Sequence, residues 1–124
     1  MHGDVKPHNF VLVDGRVCPI DFGTTHCVLP GRPLRVPLVG THTYAAPELL
    51  ESDAAGLHSP TTASDVYSAG ATIRALAGHC ASSLPVVAAL LDVATRCCAD
   101  DPRRRPSAAD AAAKVMALID AEER

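Results

Sequence analysis

Apolar residues along this chain change their grouping after the first twenty positions. At the start they form two short β-rich runs, Phe10-Val11-Leu12-Val13 and Arg16-Val17-Cys18-Pro19-Ile20, joined by Asp14-Gly15. Asp-Gly between such runs is the strongest short-range signal for a two-residue hairpin. The fold-back carries Asp21, at the end of the second run, to Asn9, at the start of the first. From Thr24 to Tyr44 neither a period of two nor one of 3.6 is sustained. Glycine together with Pro30, Pro33 and Pro37 predicts a long irregular loop there, and loops of that length in compact domains usually carry function.

Helical spacing dominates the remainder. Thr62-x-x-Asp65 is close to a capping box and predicts a helix reaching about Ala77, with Val66, Ala69, Ile73 and Leu76 on one face. Gly70 inside it costs about 1 kcal/mol relative to alanine, which implies a packing reason for its presence. A second helix is predicted from Leu84 to Ala99, with Val87, Leu90, Leu91, Ala94 and Cys98 aligned. Ser107-x-x-Asp110 caps a third, along which Ala111, Val115, Leu118 and Ile119 form the apolar stripe. The expected fold is mainly α with a small β-hairpin, without internal repeat or second-domain boundary.

Composition makes that fold a lean one. A chain of 124 residues supports a modest single core, somewhat below the burial of roughly 70% typical of about 150 residues. Hydrophobic residues make up an ordinary 48%, but aromatics are only 3% and much of the apolar content is alanine, which predicts marginal stability. A net charge of −3 supplies no field to draw nucleic acid or anionic lipid, and Arg103-Arg104-Arg105 reads as a solvated loop with one structural arginine. The five cysteines, Cys18, Cys27, Cys80, Cys97 and Cys98, lack CxxC or Cys/His ligand spacing and read as buried free thiols of a reducing compartment. No run of eighteen apolar residues occurs, since Asp92 stops Val86 to Leu91, and MHGDV has no apolar core. A soluble intracellular protein, cytoplasmic or nuclear, without membrane or nucleic-acid partner, is the expectation.

The candidate chemistry lies at the hairpin. Asp4, Asn9 and Asp21 are two carboxylates and a carboxamide at spacings that read as a phosphoryl-transfer site. His2-Gly3-Asp4-Val5-Lys6-Pro7-His8-Asn9 followed by Asp21-Phe22-Gly23 resembles the catalytic loop H-R-D-x-K-P-x-N and the D-F-G of protein kinases, with Gly3 in place of arginine. Gly40-Thr41, Tyr44 and Ala46-Pro47-Glu48 resemble the end of a kinase activation segment. Asp65 to Gly70 resembles the central helix of the C-terminal lobe, and Asp101-Pro102 with Arg105-Pro106 its closing motif. Residues 1–124 thus resemble a partial protein kinase domain, a kinase-like C-terminal lobe from the α+β kinase fold. The glycine-rich phosphate loop is not in these residues, and the only lysines, Lys6 and Lys114, do not lie in a V-A-I-K strand, so the N-terminal lobe is expected in a longer chain. Few residues separate Gly78 from Leu84, where family members typically insert a further helix that helps dock protein substrates; its loss is expected.

The resemblance implies roles. Asp4 orients the acceptor hydroxyl and takes its proton, Lys6 offsets charge on the transferring phosphate in the serine/threonine manner, and Asn9 and Asp21 hold Mg²⁺ beside ATP. Val11 lies below the adenine, and Lys6 also contacts the nucleotide. His2 and Phe22, with Gly23 after them, belong to the column linking the lobes. Thr41 bonds near Asp4 and Lys6, Glu48 pairs with Arg105, and Asp65 serves as helix cap and backbone anchor. Glycine at position 3 cannot grip a loop phosphate, so regulation by loop phosphorylation is not expected. The implied function is transfer of the ATP γ-phosphate to a protein hydroxyl by a serine/threonine kinase. Because positioning is worth about 7–11 kcal/mol of barrier, this portion alone is expected to be inactive. Two alternatives stand beside it. His2-Gly3-Asp4 with Ile20-Asp21 is similar to small-molecule phosphotransferases of the aminoglycoside and choline type, and loss of activity would leave a binding or scaffold module.

Overall fold

The computed structural model describes residues 1–38, 40–80 and 84–122. A 3-10 turn at Pro7–Asn9 leads into strands β1, Phe10–Val13, and β2, Arg16–Pro19, which pair antiparallel with Phe10 opposite Pro19 and Val13 opposite Arg16. Asp14 and Gly15 both take left-handed backbone, at φ 48° and 75°, the type I′ geometry whose twist matches that of the strands. The second strand stops at Pro19, one residue short of the predicted run.

Three helices make up the rest: α1, Thr62–Ala77; α2, Pro85–Cys97; and α3, Ala108–Glu122. The box that caps α1 is Thr61 with Ser64, one residue earlier than predicted; Ser64 Oγ accepts from the Thr61 N–H at 3.1 Å. Asp65 is thereby released from capping. At the start of α3, Ser107 and Asp110 make the predicted contact, with the Asp110 N–H donating to Ser107 Oγ at 3.1 Å. Helix α2 is shorter than predicted, since Pro85 supplies its first residue and the backbone leaves helical geometry at Cys98.

Gly70 has the packing reason its cost implied. A Cβ there would lie 2.7 Å from Cys97 Cβ, 2.8 Å from Ala94 O and 2.9 Å from Cys98 Sγ, so α1 and α2 cross with their backbones nearly in contact. The core is Val66, Val93 and Cys97, with Ala111, Val115 and Leu118 of α3 laid against it. Two stripe positions are corrected: Leu76 and Ile119 are 52% and 41% exposed. The cysteines are corrected as well. Cys97 alone is buried, Cys18 and Cys98 are partly so, and Cys27 and Cys80 are exposed free thiols. An apolar groove of about 560 Å³ runs beside the core, lined by Val5, Phe10, Val66, Ile73, Val115 and Met116 among others. The described residues among 24–44 are irregular as predicted, apart from isolated bridges pairing Leu29 with Arg32 and Val36 with His58, and a 3-10 turn at His42–Tyr44. The shortened link predicted between α1 and α2 falls partly on residues 81–83, outside the described residues. No helix among the described residues is long and apolar enough to cross a membrane.

Candidate phosphoryl-transfer site

Asp4 is the hub. Lys6 Nζ lies 2.8 Å from Asp4 Oδ2 and donates to Thr41 Oγ1 at 2.7 Å, while Asn9 Nδ2 donates to Asp4 O at 2.8 Å and to Asp4 Oδ2 at 3.0 Å. The loop is wound tightly enough for this because Pro7 opens the 3-10 turn with its φ preset, and the Asn9 N–H closes it on Lys6 O at 3.0 Å. Both recorded bonds of the Asn9 amide go to acceptors, which fixes the nitrogen's side of the group and assigns Oδ1 to the other. Burial raises the Asp4 pKa, but the hydrogen bonds from Lys6, Thr41 and Asn9, with the Lys6 charge, outweigh it and hold the carboxyl below its ordinary value.

The hairpin brings the residue before Asp21 back to this turn. The Ile20 N–H donates to Asn9 O at 2.8 Å, registering the end of β2 beside the turn. Asp21 then takes left-handed backbone, φ 60°, and its Oδ1 accepts from the Gly23 N–H at 3.3 Å. Asn9 Oδ1 and the exposed Asp21 carboxylate are hard oxygen donors, the chemistry Mg²⁺ requires. Among the described residues no three His, Cys, Asp or Glu side chains cluster into a metal cage. A cation here would therefore draw further ligands from substrate phosphate and water.

His2 and Phe22 meet with ring centroids 5.4 Å apart and planes tilted by 48°. The His2 ring accepts from the Asp4 N–H at Nδ1, 3.3 Å, so Nε2 is assigned the proton donated to Ile20 O at 3.1 Å. Val11, expected below the adenine, stands opposite Cys18 in the hairpin and is 38% exposed.

Asp65 anchors the loop from below: its carboxylate accepts the His2 N–H at 2.5 Å and the Gly3 N–H at 3.0 Å. Gly3 itself stands at φ +87°, and a Cβ on it would fall 2.5 Å from the Thr24 carbonyl oxygen. The missing side chain is thus a local requirement of this loop.

Glu48 and Arg105 form the second polar cluster. Arg105 donates to both Glu48 oxygens, at 2.7 and 2.8 Å, and to the carbonyls of Ala63, Ala99 and Asp100, so all five of its N–H groups are used. Two participants were not read from the sequence. Ser64 Oγ donates to Glu48 Oε1 at 3.2 Å, and Tyr67 lies under the guanidinium with its centroid 5.0 Å away. A Thr-x-x-Ser capping box at Thr61 would have flagged Ser64; Tyr67 carries no such signal. Ser68, which donates to Tyr44 O at 2.8 Å, was likewise missed, as was the buried His58, whose backbone pairs with Val36.

Comparison with known proteins decides the family. The model of the protein kinase domain matches residues 1–84. The chain belongs to the protein kinase family. This kinase chain is 42% identical over 83 residues to the serine/threonine-protein kinase PknK of Mycobacterium tuberculosis, covering 65% of this chain and 7% of that protein. It is 34% identical over 110 residues to the serine/threonine-protein kinase WNG1 of Toxoplasma gondii, covering 86% of this chain and 16% of that protein. To the dual specificity protein kinase zak2 of Dictyostelium discoideum it is 30% identical over 122 residues, covering 85% of this chain and 18% of that protein. The kinase chain therefore spans less than a fifth of the length of each of these relatives.

Proposed function

We propose that these residues form the catalytic and metal-holding wall of a serine/threonine protein kinase that transfers the ATP γ-phosphate to a hydroxyl of a protein substrate. The observation that carries the reading is the Asp4 cluster, in which one carboxylate is held ionised and aimed by Lys6, Asn9 and Thr41 at once. Phosphoryl transfer asks little covalent chemistry of the protein; the rate comes from alignment and charge. Asp4 orients the acceptor hydroxyl and takes its proton as transfer completes. Its lowered pKa suits it to orientation more than to strong basicity. Lys6 offsets negative charge near the transferring group, and its contacts with Asp4 and Thr41 occupy two of its three N–H donors. Asn9 and Asp21 are the residues that would hold Mg²⁺, and the ion, when bound, neutralises phosphate charge. Val11 forms the floor of the adenine site, and His2, Phe22 and Gly23 pack toward the lobe that covers the nucleotide. The similarity to PknK and WNG1, both described as serine/threonine kinases, supports the acceptor class.

The test uses the protein in which this lobe is joined to a nucleotide-clamping lobe. Labelled ATP is offered with a protein acceptor, an aminoglycoside and choline. Label on protein serine or threonine is expected, with kcat falling about 10²-fold or more in Asp4→Asn. Label confined to the small molecules overturns the acceptor class. Nucleotide binding without transfer to any acceptor overturns the enzyme reading and favours a binding module.

A further inference from the structure

Residues 24–44 are the part of a kinase lobe that a loop phosphate would order, and here Gly3 offers no side chain to grip one. The structure contains another arrangement. Asp53 Oδ1 accepts from the backbone N–H of Ala55 at 2.8 Å and of Leu57 at 3.0 Å, and the Asp53 N–H donates to Leu57 O at 2.9 Å, which winds residues 53–57 into a closed turn. Its other oxygen, Oδ2, accepts from Arg35 Nε at 3.1 Å and also from Arg35 Nη2. Next to Arg35 and to Leu57, the last residue of the turn, Val36 and His58 exchange both backbone hydrogen bonds, the Val36 N–H to His58 O at 3.0 Å and the His58 N–H to Val36 O at 2.8 Å. Beyond that bridge His58 is buried, 9% exposed, and its chain continues through Pro60 into the cap of α1.

We propose that Arg35 and Asp53, closing on the Val36–His58 bridge, are a built-in latch that holds the segment before Thr41 against the turn preceding α1 without any phosphate. An ion pair this exposed adds little by itself. Its effect comes from placement: Asp53 is rigidified by the turn it organises, so Arg35 closes on a fixed carboxylate, and the two-bond bridge forms next to a point already held. The threonines nearest the loop agree with this arrangement. Thr24 and Thr25 Oγ1 both donate to His2 O, at 3.0 and 3.3 Å, so these hydroxyls tie the start of the segment to the loop at His2. The latch concerns the order of the segment, goes beyond the transfer reading, and is tested without catalysis, so the two fail separately.

Amide hydrogen exchange of the full, unphosphorylated chain, with mass confirmed, is the test. Val36 and His58 are expected to be protected in the wild type relative to the unbonded loop amides. In Arg35→Gln and in Asp53→Asn their exchange is expected to rise at least fivefold while the amides of Gly70 and Thr72 in α1 stay unchanged. The double variant is expected to be no faster than the faster single one, as for one device. Unchanged exchange at Val36 and His58 in either variant overturns the latch, as does an equal rise throughout α1. Protection that appears only after phosphorylation of Thr24 or Thr25 overturns its independence from phosphate.

Discussion

Among individual residues, the three consecutive arginines at 103–105 separate most sharply by environment. The Arg105 side chain has no exposed surface and spends five donors on Glu48 and three carbonyls, whereas Arg103 is 89% exposed and meets only Asp101. Removing one partner of a buried pair strands the other, so Glu48→Ala is expected to cost about 3 kcal/mol in urea unfolding. Arg103→Ala should leave the midpoint within error. The Glu48 carboxyl is pushed up by burial, but the bonds and charge of Arg105, its own backbone and Ser64 bring it below its ordinary value of 4.5. A depressed carboxylate stabilises fully above its unfolded pKa and loses that contribution as pH falls through the folded one. The gap between wild type and Glu48→Ala is therefore expected to narrow once the pH drops below 4.5. A gap that stays constant to lower pH would show that the pair's charge is not the source.

Among elements, the α1–α2 crossing sets the tolerance. Alanine at position 70 gains about 1 kcal/mol in helix propensity, yet its methyl would meet Cys97, Ala94 and Cys98 below 3.0 Å. Overpacking of this kind costs about 1–3 kcal/mol, and here the nearest atoms include a backbone carbonyl that cannot rotate away. Gly70→Ala is expected to lower the melting temperature by several degrees; a rise would mean that the helices separate without cost. This crossing also indicates how far the sequence was readable. The hairpin was legible because Asp14-Gly15 admits one tight turn, and the Ser107–Asp110 cap because its partners are three residues apart. The cap of α1 was misread by one residue, since Thr62 and Asp65 offered the familiar acidic pattern while Ser64 closes the box from Thr61. Asp65 was free for the loop only because of that, a contact across more than sixty residues with no local trace. Arg105 with Glu48 was reached through the family motif, while Ser64 left a local trace in the Thr61 box and Tyr67 depends on tertiary approach alone. Leu76 and Ile119 sat on the predicted stripes but are exposed, while Leu118, one position before Ile119, packs on the core.

For the whole molecule, the apolar groove outweighs the core. Among the described residues the buried hydrophobic set is six small or medium side chains, while the groove beside them measures about 560 Å³ and Leu12, Val17 and Phe22 are more than half exposed. The isolated chain is accordingly expected to enhance ANS fluorescence in buffer without denaturant and to self-associate as concentration rises. A monomer at high concentration with no dye binding would contradict this balance of surfaces. What keeps the site in shape under so slight a core is the attachment of the His2 and Gly3 amides to Asp65, and through it to the helix. The loop is consequently expected to melt together with the helix. A screen for lost activity would then return positions such as Gly70 and Cys97 alongside Asp4, and the two groups would part only when heating is used to sort them.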